Sequence, residues 1–226
     1  MYFSMSYLLL MVAVLVIGLA AQAGINAAYR KWSRVPISTG QTGFQAARRM
    51  LDANGLGHVG IQMLNTSDLS DHYDPRTNTL GLSRGVYNGT SVAATAVACH
   101  EAGHAVQHAR GYLPARARLA IFPAVNLASN AWIFVFFLGL IMGIASLEWL
   151  GVILFALVLV FQLVTLPVEF DASHRGLANI RALYPWMDET QLGGARKVLT
   201  AAALTYVASA LTSALQLIYF AGLARE

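Results

Sequence analysis

The chain has 226 residues, 57% of them hydrophobic and only 12% charged, with a mean hydropathy of +0.55. That is more apolar side chain than a water-soluble domain of this size can bury, so a soluble enzyme is excluded and a membrane protein is expected. The net charge of +4 comes from basic residues scattered without an aromatic platform or RNA-binding signature, so no nucleic-acid partner is expected, and a single cysteine excludes an intramolecular disulfide framework.

Residues 7–29 form the first apolar segment, long enough to cross a bilayer core that takes about 20 helical residues. No Lys or Arg precedes it, whereas Arg30, Lys31 and Arg34 follow at once. That bias puts the N-terminus outside and the next segment in the cytoplasm. Ala21-Gln22-Ala23 has the form of a signal-peptide cleavage site, but a signal peptide carries its positive charge ahead of its apolar core, so an anchor is expected.

Residues 38–55 read as a soluble helix capped by Ser38 or Thr39, with Phe44, Ala47 and Leu51 on one face and Gly55 as its stop. Val59–Met63 alternates with period two, and Pro75-Arg76-Thr77-Asn78 punctuates a hairpin between Ser70–Asp74 and Thr79–Ser83. The expectation is a small antiparallel hairpin or sheet, whose edge either holds a peptide substrate extended or only packs on the helices.

Asn88–Ser91 supplies turn and cap residues for a helix running from about Ser91 to Ala109 and ending at Gly111. It carries His100-Glu101-Ala102-Gly103-His104, the H-E-x-x-H pattern. Histidines at i and i+4 leave one helix face a turn apart and can share one metal ion, and Glu101 beside them is placed to take a proton from water at that metal. Cys99 is rotated off this face and reads as a packing residue.

From Leu119 to Leu166 the chain is almost wholly apolar, which suits crossings at about 124–146 and 149–167, divided near Ser146-Leu147-Glu148-Trp149. Pro167 starts or kinks the next helix, and a last apolar run at about 199–223 gives a fourth crossing. All of the fifteen Lys and Arg except Arg225 then fall on the cytoplasmic side, with a catalytic portion at about 30–118 and 168–198 of a single unit. Trp32, Trp132, Trp149 and Trp186 lie near the boundaries and read as interface anchors.

A catalytic zinc site needs a third protein ligand. His108 continues the stripe of His100 and His104, but a straight helix carries it too far along to meet the same ion, so it reads as a supporting donor or interface residue. Glu169, just after Pro167, is the better candidate, against the plainer reading of a solvated end-residue, because ionisable groups beside membrane spans tend to be functional.

Together, Ser70–Arg76, Leu82-Ser83, the helix through His100–His108 and Pro167–Ser173 resemble the bacterial neutral zinc metallopeptidase family of integral membrane proteins, the YugP-like family. The resemblance covers nearly the whole chain. It implies a mainly α, polytopic membrane zincin of gluzincin-like type with about four transmembrane helices. It also implies one Zn2+ per chain held by His100, His104 and Glu169, with Glu101 as catalytic base. The implied setting is the bacterial inner membrane, with the site on the cytoplasmic side and a peptide or membrane protein as substrate. More distantly the chain is similar to HtpX-type membrane zinc proteases, in which an aspartate four residues after the glutamate supports the site. Here Ser173 stands at that position and Asp171 two residues before it, so the residue that orients His100 is left open between them.

An oxyanion donor is expected among His72, Tyr73, His174 and Arg175. A zinc-binding membrane scaffold or adaptor without turnover is the alternative function, though a structural site has no need of a base such as Glu101. A small transporter is a third, but it calls for ionisable groups within the spans, and the expected crossings hold almost none. A homo-oligomer or a membrane-protein partner is compatible with the sequence.

Overall fold

A computed structural model describes residues 5–65, 70–185 and 187–225; Trp186 lies outside the described residues. In chain order the elements are α1 (Met5–Ser33), α2 (Gly43–Ala53), β1 (Gly60–Leu64), β2 (His72–Asp74), β3 (Thr79–Ser83), α3 (Arg84–Tyr87), α4 (Val92–Ala109), α5 (Leu113–Met142), α6 (Ala145–Leu183) and α7 (Glu189–Leu223). Helices α1, α5, α6 and α7 are each long and apolar enough to cross a membrane, as four expected crossings require.

Their bounds differ from the apolar runs. The break between the second and third crossings comes at Gly143, with φ +66°, so Glu148 and Trp149 fall in the first turns of α6. Pro167 lies inside α6 and starts no new helix. A membrane helix tolerates an internal proline because local adjustment and neighbouring groups take up the freed backbone bond. Glu169 is therefore a mid-helix residue, not one in a first turn.

The chain divides into two compact units. The first comprises the described residues within Met1–Gln22, Arg116–Pro167 and Leu204–Glu226. Phe136, Val152, Phe220 and Ala224 form its buried cluster, and Trp132 packs on Phe155 and Phe220 with ring centroids 4.3 and 5.2 Å away. Side chains such as Phe134 and Ile141 face outward, 74% and 81% exposed, as a lipid-facing surface does. Small residues set the spacing of α5 and α6: a Cβ on Gly139 would lie 2.6 Å from the Glu148 amide nitrogen, and one on Gly151 would lie 2.8 Å from Phe136 Cα.

The second unit comprises Ala23–Ala115 and Val168–Ala203. Helix α4 is its core, buried along nearly its whole length among α2, β3, and the α6 and α7 residues of this unit. Its N-cap Ser91 accepts from the Ala94 amide, and the chain leaves it through Gly111 at φ +63°. Helix α2 starts later than the expected Ser38 or Thr39, because Thr42 and Gln45 form a reciprocal capping box. Trp32, expected at a membrane interface, is instead buried against Gly194, where a Cβ would lie 2.3 Å from the indole.

The sheet is mixed, in the order β1-β3-β2. The β2–β3 hairpin is antiparallel as expected, and Asp74 holds its turn by accepting from the Arg76 amide and the Thr77 hydroxyl. Strand β1 corrects the expectation of a purely antiparallel sheet, because it pairs with β3 in parallel, Gly60 opposite Thr79 and Leu64 opposite Ser83. The chain runs up β1, down β2 and up β3, and β3 inserts between the other two. That central position buries Leu80 and Leu82 completely.

Candidate metal centre

Two reciprocal close approaches bring α4 and α6 together. A Cβ on Gly103 of α4 would lie 2.6 Å from the Ala172 carbonyl oxygen, and one on Gly176 of α6 would lie 3.1 Å from the Cys99 carbonyl oxygen. At Gly103 any side chain would have to push the backbones apart, and at Gly176 the fit is tight enough that a neighbour would have to give. Gly103 is one of the variable residues of the H-E-x-x-H pattern, and here it is what admits α6 to the histidine face.

The approach places Glu169 Oε2 3.3 Å from His100 Nε2 and 3.6 Å from His104 Nε2. The two imidazoles stand edge to face, with centroids 4.8 Å apart. The three residues form a cluster able to hold a metal ion, their ligand atoms all within 4.8 Å of one another. Ligands about 2.0–2.1 Å from a tetrahedral zinc lie roughly 3.3 Å apart, so these donors fit that ion by type, and the two pairs through Glu169 lie near that spacing.

Each histidine is held from behind. His100 Nδ1 is 3.1 Å from Ser173 Oγ, and His104 Nδ1 is 3.0 Å from Gln107 Oε1. Gln107 is almost fully buried, and its Nε2 donates to the Val168 carbonyl and to Asp171 Oδ2, both at 2.8 Å. With the amide nitrogen committed to acceptors, its oxygen faces the imidazole. His104 therefore carries its proton on Nδ1 and offers the Nε2 lone pair to the cluster. Asp171 also accepts from Arg175 Nε at 2.5 Å, and that guanidinium lies over the Tyr112 ring, 5.7 Å from its centroid. Burial works against a charged His104, but the hydrogen-bonded Glu169 carboxylate and the nearby Glu101 charge overcome it and raise the pKa above the ordinary histidine value.

Glu101 is 7% exposed, and its carboxylate has no hydrogen-bond partner among the described residues. Its charge reaches both His104 and Asp71. Asp71 accepts from the Ser83 amide at 2.7 Å and the Ser83 hydroxyl at 3.2 Å, while burial and then the Glu101 charge push its carboxyl above the usual range. An almost buried carboxylate with open acceptor positions, its charge felt at His104 of the candidate cluster, is equipped to take a proton.

The remaining expected residues scatter. His108 is exposed, outside the cluster, with its Nδ1 2.8 Å from the Tyr73 hydroxyl, which in turn donates to Asn78 Oδ1. His72 is exposed and its Nδ1 meets the Ser70 carbonyl. His174 is exposed, and Arg175 is bound to Asp171. Sequence reading missed Gln107, Gly103 and Gly176. Gln107 carried a signal, since it stands at i+3 from His104 on the same helix face.

Comparison with known proteins adds a family. A family model described as "Putative neutral zinc metallopeptidase" matches residues 7–225. "Putative membrane protease YugP" of Bacillus subtilis (strain 168) is 43% identical over 216 residues, 96% of this chain and 95% of that protein. No solved structure matches.

Proposed function

The chain belongs to the family described as "Putative neutral zinc metallopeptidase", and on that premise we propose that it is a membrane-bound zinc endopeptidase with Glu101 as general base. His100, His104 and Glu169 are the ligand set in this reading. The observation that carries it is the convergence of their donor atoms beside a carboxylate that the protein leaves unengaged.

Zinc held there supplies a Lewis acid for the scissile carbonyl and lowers the pKa of water toward neutrality. The protein's own groups do the rest. Glu101 accepts the proton of the attacking water on a carboxylate oxygen and returns it to the leaving amine nitrogen. Gln107 keeps the His104 proton on Nδ1, and the Ser173 hydroxyl holds His100. Of the expected oxyanion donors, His72, Tyr73 and Arg175 have polar groups engaged elsewhere, which leaves His174 the least encumbered.

The substrate is a peptide or membrane protein. The site faces the cytoplasm, a reading supported by the fourteen Lys and Arg that four crossings put on that side.

The test is to purify the wild type and Glu101→Gln, then measure bound zinc and casein cleavage. Equal zinc with cleavage confined to the wild type is the expected result. Equal cleavage by both removes Glu101 as base, and zinc without cleavage in either favours a non-catalytic scaffold.

A further inference from the structure

The second unit contains a cavity of about 810 Å³, away from the histidine cluster, within the volume range of small-molecule and cofactor sites. Its polar lining includes Arg30, Arg34, Asn26, Ser33, Thr90 and Ser91, and none of its lining residues is a carboxylate. Arg30 lies in the last turn of α1 and Arg34 directly follows that helix, so the cavity carries two like charges in its wall. Arg30 Nε donates to the Asn26 carbonyl at 3.3 Å, and neither guanidinium has an acidic partner among the described residues. The wall at Thr90 and Ser91 is the start of α4, the positive end of an 18-residue helix. Every charge lining this cavity favours an anion.

The position of the arginines along α1 says which anion. A bilayer core about 30 Å thick takes about 20 helical residues at ~1.5 Å each, so a span begun near Tyr7 ends near Asn26. Arg30 then lies about 6 Å further along the helix, within a headgroup layer roughly 5–8 Å thick, and Arg34 directly follows the end of α1.

We propose that this cavity binds the phosphate-bearing headgroup of an anionic phospholipid, clamped by Arg30 and Arg34. Basic pockets beside membrane helices recognise such headgroups by charge and depth together. The pocket is joined to the helix that carries the candidate metal centre: Pro36 and Ser91 pair as a β-bridge, and Ile37 N–H donates to the Thr90 carbonyl at 2.8 Å. The proposal stands independently of peptidase activity.

The experiment is native mass spectrometry of the full-length protein in detergent, titrated with short-chain phosphatidylglycerol, with short-chain phosphatidylcholine, and with inorganic phosphate as competitor. The variants are Arg30→Ala with Arg34→Ala, and Lys31→Ala. Lys31 has the same charge and lies on the same helix end, but it sits over Trp32 and does not line the cavity. The wild type is expected to retain phosphatidylglycerol over phosphatidylcholine. Losing both arginines should weaken that binding roughly 25-fold, about fivefold for each, and Lys31→Ala should leave it unchanged. Equal weakening by Lys31→Ala would mean diffuse surface attraction and overturn the pocket. So would equal retention by all variants, and displacement by inorganic phosphate at matching concentration would make the ligand a soluble anion rather than a lipid.

Discussion

The two units differ in how far their polar side chains reach. In the apolar unit Ser129, Asn130, Thr165, Ser209 and Thr212 each bond a carbonyl three or four residues back on their own helix. Such bonds satisfy the group without specifying a neighbour, so packing there rests on size: glycines at close approaches and interlocked aromatic rings. The other unit has own-helix bonds of this kind too, as at Ser33 and Asn179, but it adds bonds between elements, as with Asn54 to Asn179, Ser83 to Asp71, Ser173 to His100 and Gln107 to Val168 and Asp171. Directional bonds fix angles as well as distances, and a metal site needs both. The contrast locates function in the unit whose polar groups are spent on one another.

The largest effect should come from closing the gap that admits α6. Gly103→Ala puts a methyl on the Ala172 backbone and is expected to cost about 3 kcal/mol, with zinc lost alongside. Thermal unfolding and zinc content check it, and wild-type values for both would break the account of how the helices meet. Next is Gln107→Ala, expected to lower zinc affinity about 10- to 100-fold in chelator competition while the fold persists. Gln107→Glu should recover part of the loss, since a carboxylate still accepts from His104 Nδ1. In the apolar unit Thr165→Val removes only a bond within one helix and should change stability by less than about 0.5 kcal/mol; a larger loss would erase the contrast between the units. The smallest effect concerns Cys99, whose thiol burial pushes up to about 12. It should resist alkylation in the folded protein and react once denatured, as mass spectrometry would read.

Much of this was legible in residue order. The cap at Ser91, the stop at Gly111 and the i, i+4 histidines follow from local rules that survive in any fold. Glu169 was legible as an acid with no apolar reason to follow a membrane span. What period and composition could not convey is which way strands pair, because alternation in Val59–Met63 is the same for parallel and antiparallel neighbours. They also could not show that α6 continues through Pro167, since a proline ends a helix in water more readily than in a bilayer. Gly103 and Gly176 matter through residues more than sixty positions away, and Gln107 is fixed on His104 by Val168 and Asp171 at similar separation, so their role appears when the helices are in contact.

The central claim is that one zinc ion is held by two histidines of α4 and a glutamate of α6, and zinc content per purified chain tests it most directly. The account predicts about one zinc in the wild type and in His108→Ala, and almost none in a folded Glu169→Ala. Zinc retained by Glu169→Ala and lost from His108→Ala would contradict it.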